Sequence, residues 1–249
     1  MMNFKNPDST DLHFFKREYQ PKFLDNGDVD ISHLLHVFQD LAGDHVEALG
    51  LGEDFKKENQ FFYVVMRMKG YFLSSLNKEE KYTIITYPMQ ASGIQMYRYG
   101  YILNKDDEPV FYLSTLWILM DSVNRRIKST KVFRNKLAEV LPDIDGVEPL
   151  TEETLENFSI DEYDFKYVKD YQVIPEDIDS NGHLNNTIYL KMSQPLLGDV
   201  KVKTFEIDFE KECFLDEKIA LSLARENDSY IIRGDKEDHS LSFKIKINA

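Results

Sequence analysis

The chain has one cysteine, Cys213, in 249 residues. That excludes an internal disulfide and any zinc site built on several thiolates, and it fits a reducing compartment. No run of roughly 18 apolar residues is present, so no helix is expected to span a bilayer. Met1 to Asp11 contain no apolar signal core, which leads to the expectation of a cytoplasmic protein. Basic residues are outnumbered, with 30 Lys and Arg against 44 Asp and Glu and a net charge of −14. Such a chain is a poor binder of nucleic acid.

Aromatic residues, by contrast, are plentiful. Seventeen Phe and 14 Tyr lean toward sheet, and the 42% hydrophobic content supports a real core. The length suits one large domain or two of modest size. Self-similarity favours two. Tyr19-Gln20, the turn Asp25-Asn26-Gly27-Asp28 and the helical pattern from Ile31 to Leu49 recur as Tyr171-Gln172, Asp179-Ser180-Asn181-Gly182 and a shorter helix interrupted by Pro195. In the first helix Leu34, Leu35, Phe38, Leu41, Ala42 and Leu49 share one face. Asp30 or Ser32 can cap its start, and Gly50 and Gly52 stop it. His33, His36 and His45 lie on or near this helix and read as surface or packing residues.

Extended segments follow each helix. In the first copy they are Phe61–Phe72, Lys81–Gln90, Ile94–Leu103 and Val110–Asp121; in the second, Val202–Lys211, Lys218–Arg225, Ser229–Gly234 and Ser240–Ile247. The organisation read from this is a first domain over 1–133, an acidic linker over 134–164 and a second domain over 165–249. The linker holds ten acids against Arg134 and Lys136 and is expected to cross the surface.

The densest chemistry lies between Asp177 and Asn186. Seven of those ten residues carry side chains that hydrogen-bond. They place carboxylates, amides and the His183 imidazole beside a helix start with free backbone N–H groups, equipment for polarising a carbonyl and moving a proton. Asp177-x-Asp179-x-Asn181-Gly182 also matches the start of a calcium loop, but the twelfth position, which needs an acid, is Ile188. A plain Asx-rich turn capping a helix explains the Asp and Asn-Gly residues without needing His183 or Asn185.

The run Asp179-Ser180-Asn181-Gly182-His183-Leu184-Asn185-Asn186-Thr187-Ile188-Tyr189, followed by Glu212-Cys213, resembles the acyl-acyl carrier protein thioesterases. Leu41 to Gly50 and Leu116 to Asp121 in the first half fit as well. The resemblance implies an α+β fold of two tandem hotdog domains, each a long helix wrapped by a mostly antiparallel sheet. It implies hydrolysis of fatty acyl thioesters on acyl carrier protein, releasing free fatty acid for lipid metabolism, without cofactor or metal. It also implies Asp179, Asn181, His183 and Glu212 as catalytic residues, and an acyl tunnel in the first half with Trp117 in its lining; core packing is the default reading of Trp117 and of Met66, Met68, Met89 and Met96, with tunnel lining as the alternative.

Glu212 and Cys213 compete for one role. Cys213 with His183 and Asn181 would mimic a Cys-His-Asn nucleophile system; Glu212 would act as base or carboxylate nucleophile, and the resemblance favours it. Strand alternation turns Cys213 inward with Phe205, Ile207 and Phe209 unless a bulge near Lys211 reverses it. Arg125, Arg126, Lys128, Lys131, Arg134 and Lys136 put six positive charges in twelve residues. They read either as a solvated strand edge or as a dock for an acidic carrier protein, with Arg125, Arg126 and Lys128 as substrate-binding candidates. Acyl-coenzyme A hydrolysis, dehydration of a 3-hydroxyacyl thioester and non-enzymatic acyl binding stay open as other functions. Monomer and homodimer are both compatible, since paired hotdogs within one chain satisfy the usual pairing.

Overall fold

The computed structural model describes residues 4–8, 10–151 and 153–249. The strands are β1 (Phe15–Tyr19), β2 (Phe61–Phe72), β3 (Tyr82–Pro88), β4 (Met96–Leu103), β5 (Pro109–Asp121), β6 (Ile127–Lys128), β7 (Lys166–Gln172), β8 (Thr204–Phe209), β9 (Lys218–Glu226), β10 (Ser229–Lys236) and β11 (Leu241–Asn248). The helices are α1 (Ile31–Ala48), α2 (Glu53–Glu58), α3 (Lys131–Val140) and α4 (Ile188–Ser193). The duplication is visible as β1, α1 and β2–β5, then β7, α4 and β8–β11. Among the described residues no helix is long and apolar enough to cross a membrane.

The chain forms two compact units. The first takes in the chain up to Pro21, Val37–Met68 and Leu73–Leu155; the second takes in Lys22–His36, Lys69–Phe72 and Glu156–Ala249. In the first, strands run in the order β1-β3-β4-β5-β2, with β6 on β5. The pairings β1–β3, β3–β4 and β4–β5 are all antiparallel. Gly100 on β4 is bare for a reason: a Cβ there would stand 2.4 Å from Cε1 of Phe38 on α1. The aromatic ring therefore seats directly on the strand backbone. A second cluster joins Leu49, Leu51, Phe61, Met96 and Leu119 to Phe133 and Leu137 of α3.

In the second unit the order is β8-β11-β10-β9-β7, antiparallel wherever the register is set out. Phe205↔Ile247, Ile207↔Ile245 and Phe209↔Phe243 stack apolar pairs across β8 and β11. Gly234 repeats the device of Gly100, since a Cβ there would meet Phe243 at 2.0 Å. Asp30 caps α1 by accepting from the His33 amide at 2.9 Å. Buried Gln194 then ties the same start down, accepting from Ile31 N at 3.2 Å and donating to Val29 O at 2.8 Å. The second copy's helix departs from the long helix expected of each domain: α4 has six residues, and Pro195 turns the chain into a 3-10 segment at Gln194–Leu197.

The acidic stretch 134–164 contains most of α3 and a series of buried anchors. Leu137, Leu141, Ile144, Leu150 and Leu155 are buried, and Arg67 Nη1 donates to Leu155 O at 3.0 Å. Beyond Leu155 the contacts belong to the second unit. Asn157 donates to Glu210 at 2.9 Å, Phe158 N donates to Asp208 at 3.1 Å, and Ile160 packs with Ala224 and Ile231. Acids spaced between apolar residues keep one side of this stretch wet while the other docks.

Candidate active site

The Asp-Asn-His loop is a closed turn in the second unit. Asp179 N donates to His183 O at 2.8 Å, Gly182 N donates to Asp179 O at 3.0 Å, and Ile178 bridges Leu184. The Asp179 carboxylate accepts from the amides of Asn181 (2.8 Å) and His183 (3.0 Å). Asp179 thus holds the loop backbone, as Asx turns do. Gly182 sits at φ +82°, a left-handed conformation that glycine adopts without a Cβ clash.

Flanking residues anchor this turn. Asp177, fully buried, accepts from Tyr171 Oη at 2.7 Å and from Ile174 N at 3.3 Å, and pairs with Lys191 at 3.2 Å. Burial and the Asp177 carboxylate push the Tyr171 phenol upward. Asn185 accepts from Thr187 N at 3.0 Å and, through its carbonyl, from Ile188 N at 2.9 Å. The free N–H groups expected at this helix start are thus partly used: Asn185 engages the amide of Ile188, the first residue of α4, and that of Thr187 just before it.

One backbone bond sets the register of the site. Leu184 N donates to Cys213 O at 2.8 Å, which lays His183 alongside Glu212. His183 Nδ1 lies 3.8 Å from Glu212 Oε1, and the two side chains are 15% and 36% exposed. That is too long for a direct hydrogen bond and within ion-pair reach. Phe214 packs edge-on against the imidazole at 5.3 Å between centroids. Lys236, which no motif pointed to, donates to Glu212 O at 2.8 Å, pairs with Glu217 at 2.9 Å and lies over the Phe214 ring. It fastens the segment that carries Glu212 to the end of β10.

Cys213 goes elsewhere. It is fully buried, with Sγ 2.9 Å from Ser242 Oγ, and burial pushes its thiol upward. A raised thiol is a poor nucleophile at neutral pH. Near Lys211 the amides of Glu210 and Lys211 both donate to Ser242 O. Strand β8 ends at Phe209, so alternation no longer governs residue 213. Cys213 enters the core, while Glu212 faces the imidazole.

The other candidates lie in the first unit. Trp117 is half-buried beside the α3 cluster, and its indole donates to Thr115 Oγ1 at 2.8 Å. Arg125 stacks on Phe62 at 4.9 Å. Lys128 turns inward, donating to Asn59 O at 2.7 Å and pairing with Asp121 at 3.4 Å. Lys136 pairs with Glu139 at 3.0 Å. Arg126, Lys131 and Arg134 are exposed and make no ion pair among the described residues. Among those residues no cluster of three His, Cys, Asp or Glu is placed to hold a metal.

The solved structure of an acyl-ACP thioesterase from Bacteroides thetaiotaomicron is similar to this fold, with a TM-score of 0.81 at 16% identity over 95% of this chain and 97% of that one. A 12:0-ACP thioesterase from Umbellularia californica superposes with a TM-score of 0.78 at 16% identity, covering 94% and 96%. Identities this low speak for the fold alone. No curated protein matches the sequence. The model of the acyl-ACP thioesterase N-terminal domain matches residues 13–134, and that of the C-terminal domain matches residues 159–249. The chain therefore belongs to the acyl-ACP thioesterase family and is a thioester hydrolase with a double hotdog fold.

Proposed function

We propose that this chain releases fatty acids from acyl carrier protein by a water-based route run by His183 and Glu212. The fixed juxtaposition of those two side chains carries the reading. Glu212 takes a proton from water as its oxygen attacks the acyl carbonyl carbon. Asn181, exposed at the loop tip, and the imidazole supply side-chain donors to the carbonyl, because the Thr187 and Ile188 amides are already bonded. As the carbon–sulfur bond breaks, His183 gives the leaving thiolate its proton, and Glu212 passes the proton it took from water to His183, restoring both groups. The products are the fatty acid and the thiol of the carrier. The first half accommodates the acyl chain, as the family resemblance implies.

Arg126, Lys131 and Arg134 suit the acidic surface of a carrier protein better than Lys128, which is spent inside the fold. The test is thiol release from the same acyl group on carrier protein and on coenzyme A. Arg126→Glu with Arg134→Glu raises KM for the carrier-bound donor by about tenfold, and added salt erodes the wild-type preference. The coenzyme A donor changes little. Equal effects on both donors would remove the dock from this segment. An enoyl product without free thiol would instead mark a dehydratase.

A further inference from the structure

The first unit contains a cation that its own side chains do not neutralise. Arg98 stands on β4, on the face shared with Met96 and Gly100. Its Nη1 lies 3.3 Å from His45 Nδ1 and 3.2 Å from Thr86 Oγ1. His45 Nε2 is 3.0 Å from Leu12 O, so that nitrogen carries the proton and Nδ1 offers a lone pair to the guanidinium. Burial, and then the charge of Arg98, push the imidazole down to about 3, so it is neutral. Burial lowers the guanidinium only to about 10, and it stays charged. Among the described residues no carboxylate pairs with Arg98, and its Nε and Nη2 make no hydrogen bond.

The unused Nε–Nη2 edge is the fork that binds a carboxylate through two parallel hydrogen bonds. Two residues along the same face of β4 the neighbours are apolar. Met96 and its register partner Trp117 belong to or pack on the cluster with Leu49, Phe61 and Leu119. We propose that Arg98 is the receptor for a carboxylate borne on an aliphatic chain inside the first unit. This rests on the reading that the first half takes the acyl chain. Two sources share the chemistry: a fatty acid held by its own carboxylate, and an acyl thioester with a second carboxylate at its far end.

Trp117 is the only tryptophan of the chain, and Thr115, to which its indole donates, is the register partner of Arg98. Its fluorescence therefore reports occupancy without any turnover, and the test survives a failure of the hydrolase assignment. The full chain is titrated at pH 8 with dodecanoate, dodecanol and the monomethyl ester of dodecanedioate. Dodecanoate binds at least about tenfold more tightly than dodecanol, and Arg98→Met brings that ratio close to one. Dodecanoate inhibition of thiol release that Arg98→Met relieves identifies the fatty acid as source. A lower KM for a dodecanedioyl thioester than for its methyl ester, lost in Arg98→Met, identifies the far-end carboxylate. Equal binding of dodecanoate and dodecanol by the wild type overturns the proposal without recourse to a variant. So does a carboxylate preference that persists in Arg98→Met.

Discussion

Glu212→Gln lowers kcat on an acyl carrier protein thioester by about 10²–10⁴-fold, the range general-base catalysis supplies, with KM little altered. The glutamine keeps the shape of the side chain and its place beside His183, and loses only the capacity to take a proton. Cys213→Ser provides the contrast. Sγ is buried against Ser242 Oγ, a position a hydroxyl also fills, so kcat stays within about threefold of wild type if the thiol has no part in the chemistry. Steady-state thiol release, with thermal unfolding to confirm that each variant is folded, checks both. Full activity in Glu212→Gln, or its collapse in Cys213→Ser, would exchange the roles of the two residues.

His183→Ala produces a loss of similar size, about 10²–10³-fold in kcat. The imidazole contacts Glu212 and Phe214 from a closed loop whose backbone bonds do not involve its ring, so the variant retains the turn. Because the two groups act on one proton inventory, combining His183→Ala with Glu212→Gln costs little more than the larger single change. A double-mutant cycle reads this directly. Additive losses would mean that the groups work independently.

Much of this architecture is legible in the chain. Alternation and turn residues place the eight strands that follow the two helices to within a few residues, and the apolar face and Asp30 cap locate α1. Pro195 marks the short α4. The loop 177–186 is conspicuous because its polar residues exceed what a turn needs. Other features depend on contacts distant in sequence. The choice between Glu212 and Cys213 could not be read from alternation, because the segment leaves the ladder after Phe209 and its position is set by Leu184 N on Cys213 O. Lys128 looked like part of an external basic patch, yet the carbonyls of Asn59 and Gln60 draw it inward. Lys236 and Arg98 carry no local signal at all. Each is one charged residue on a strand, and its partners come from another part of the chain.

The most direct measurement is a single turnover of acyl carrier protein thioester in water enriched in heavy oxygen, with enzyme in excess and both products identified. Water activated beside His183 and Glu212 yields one thiol per fatty acid, with one heavy oxygen in the carboxylate already in that first turnover. A fatty acid carrying no label would show that an enzyme oxygen, not water, attacks the carbonyl. Absence of free thiol would contradict the hydrolase account itself.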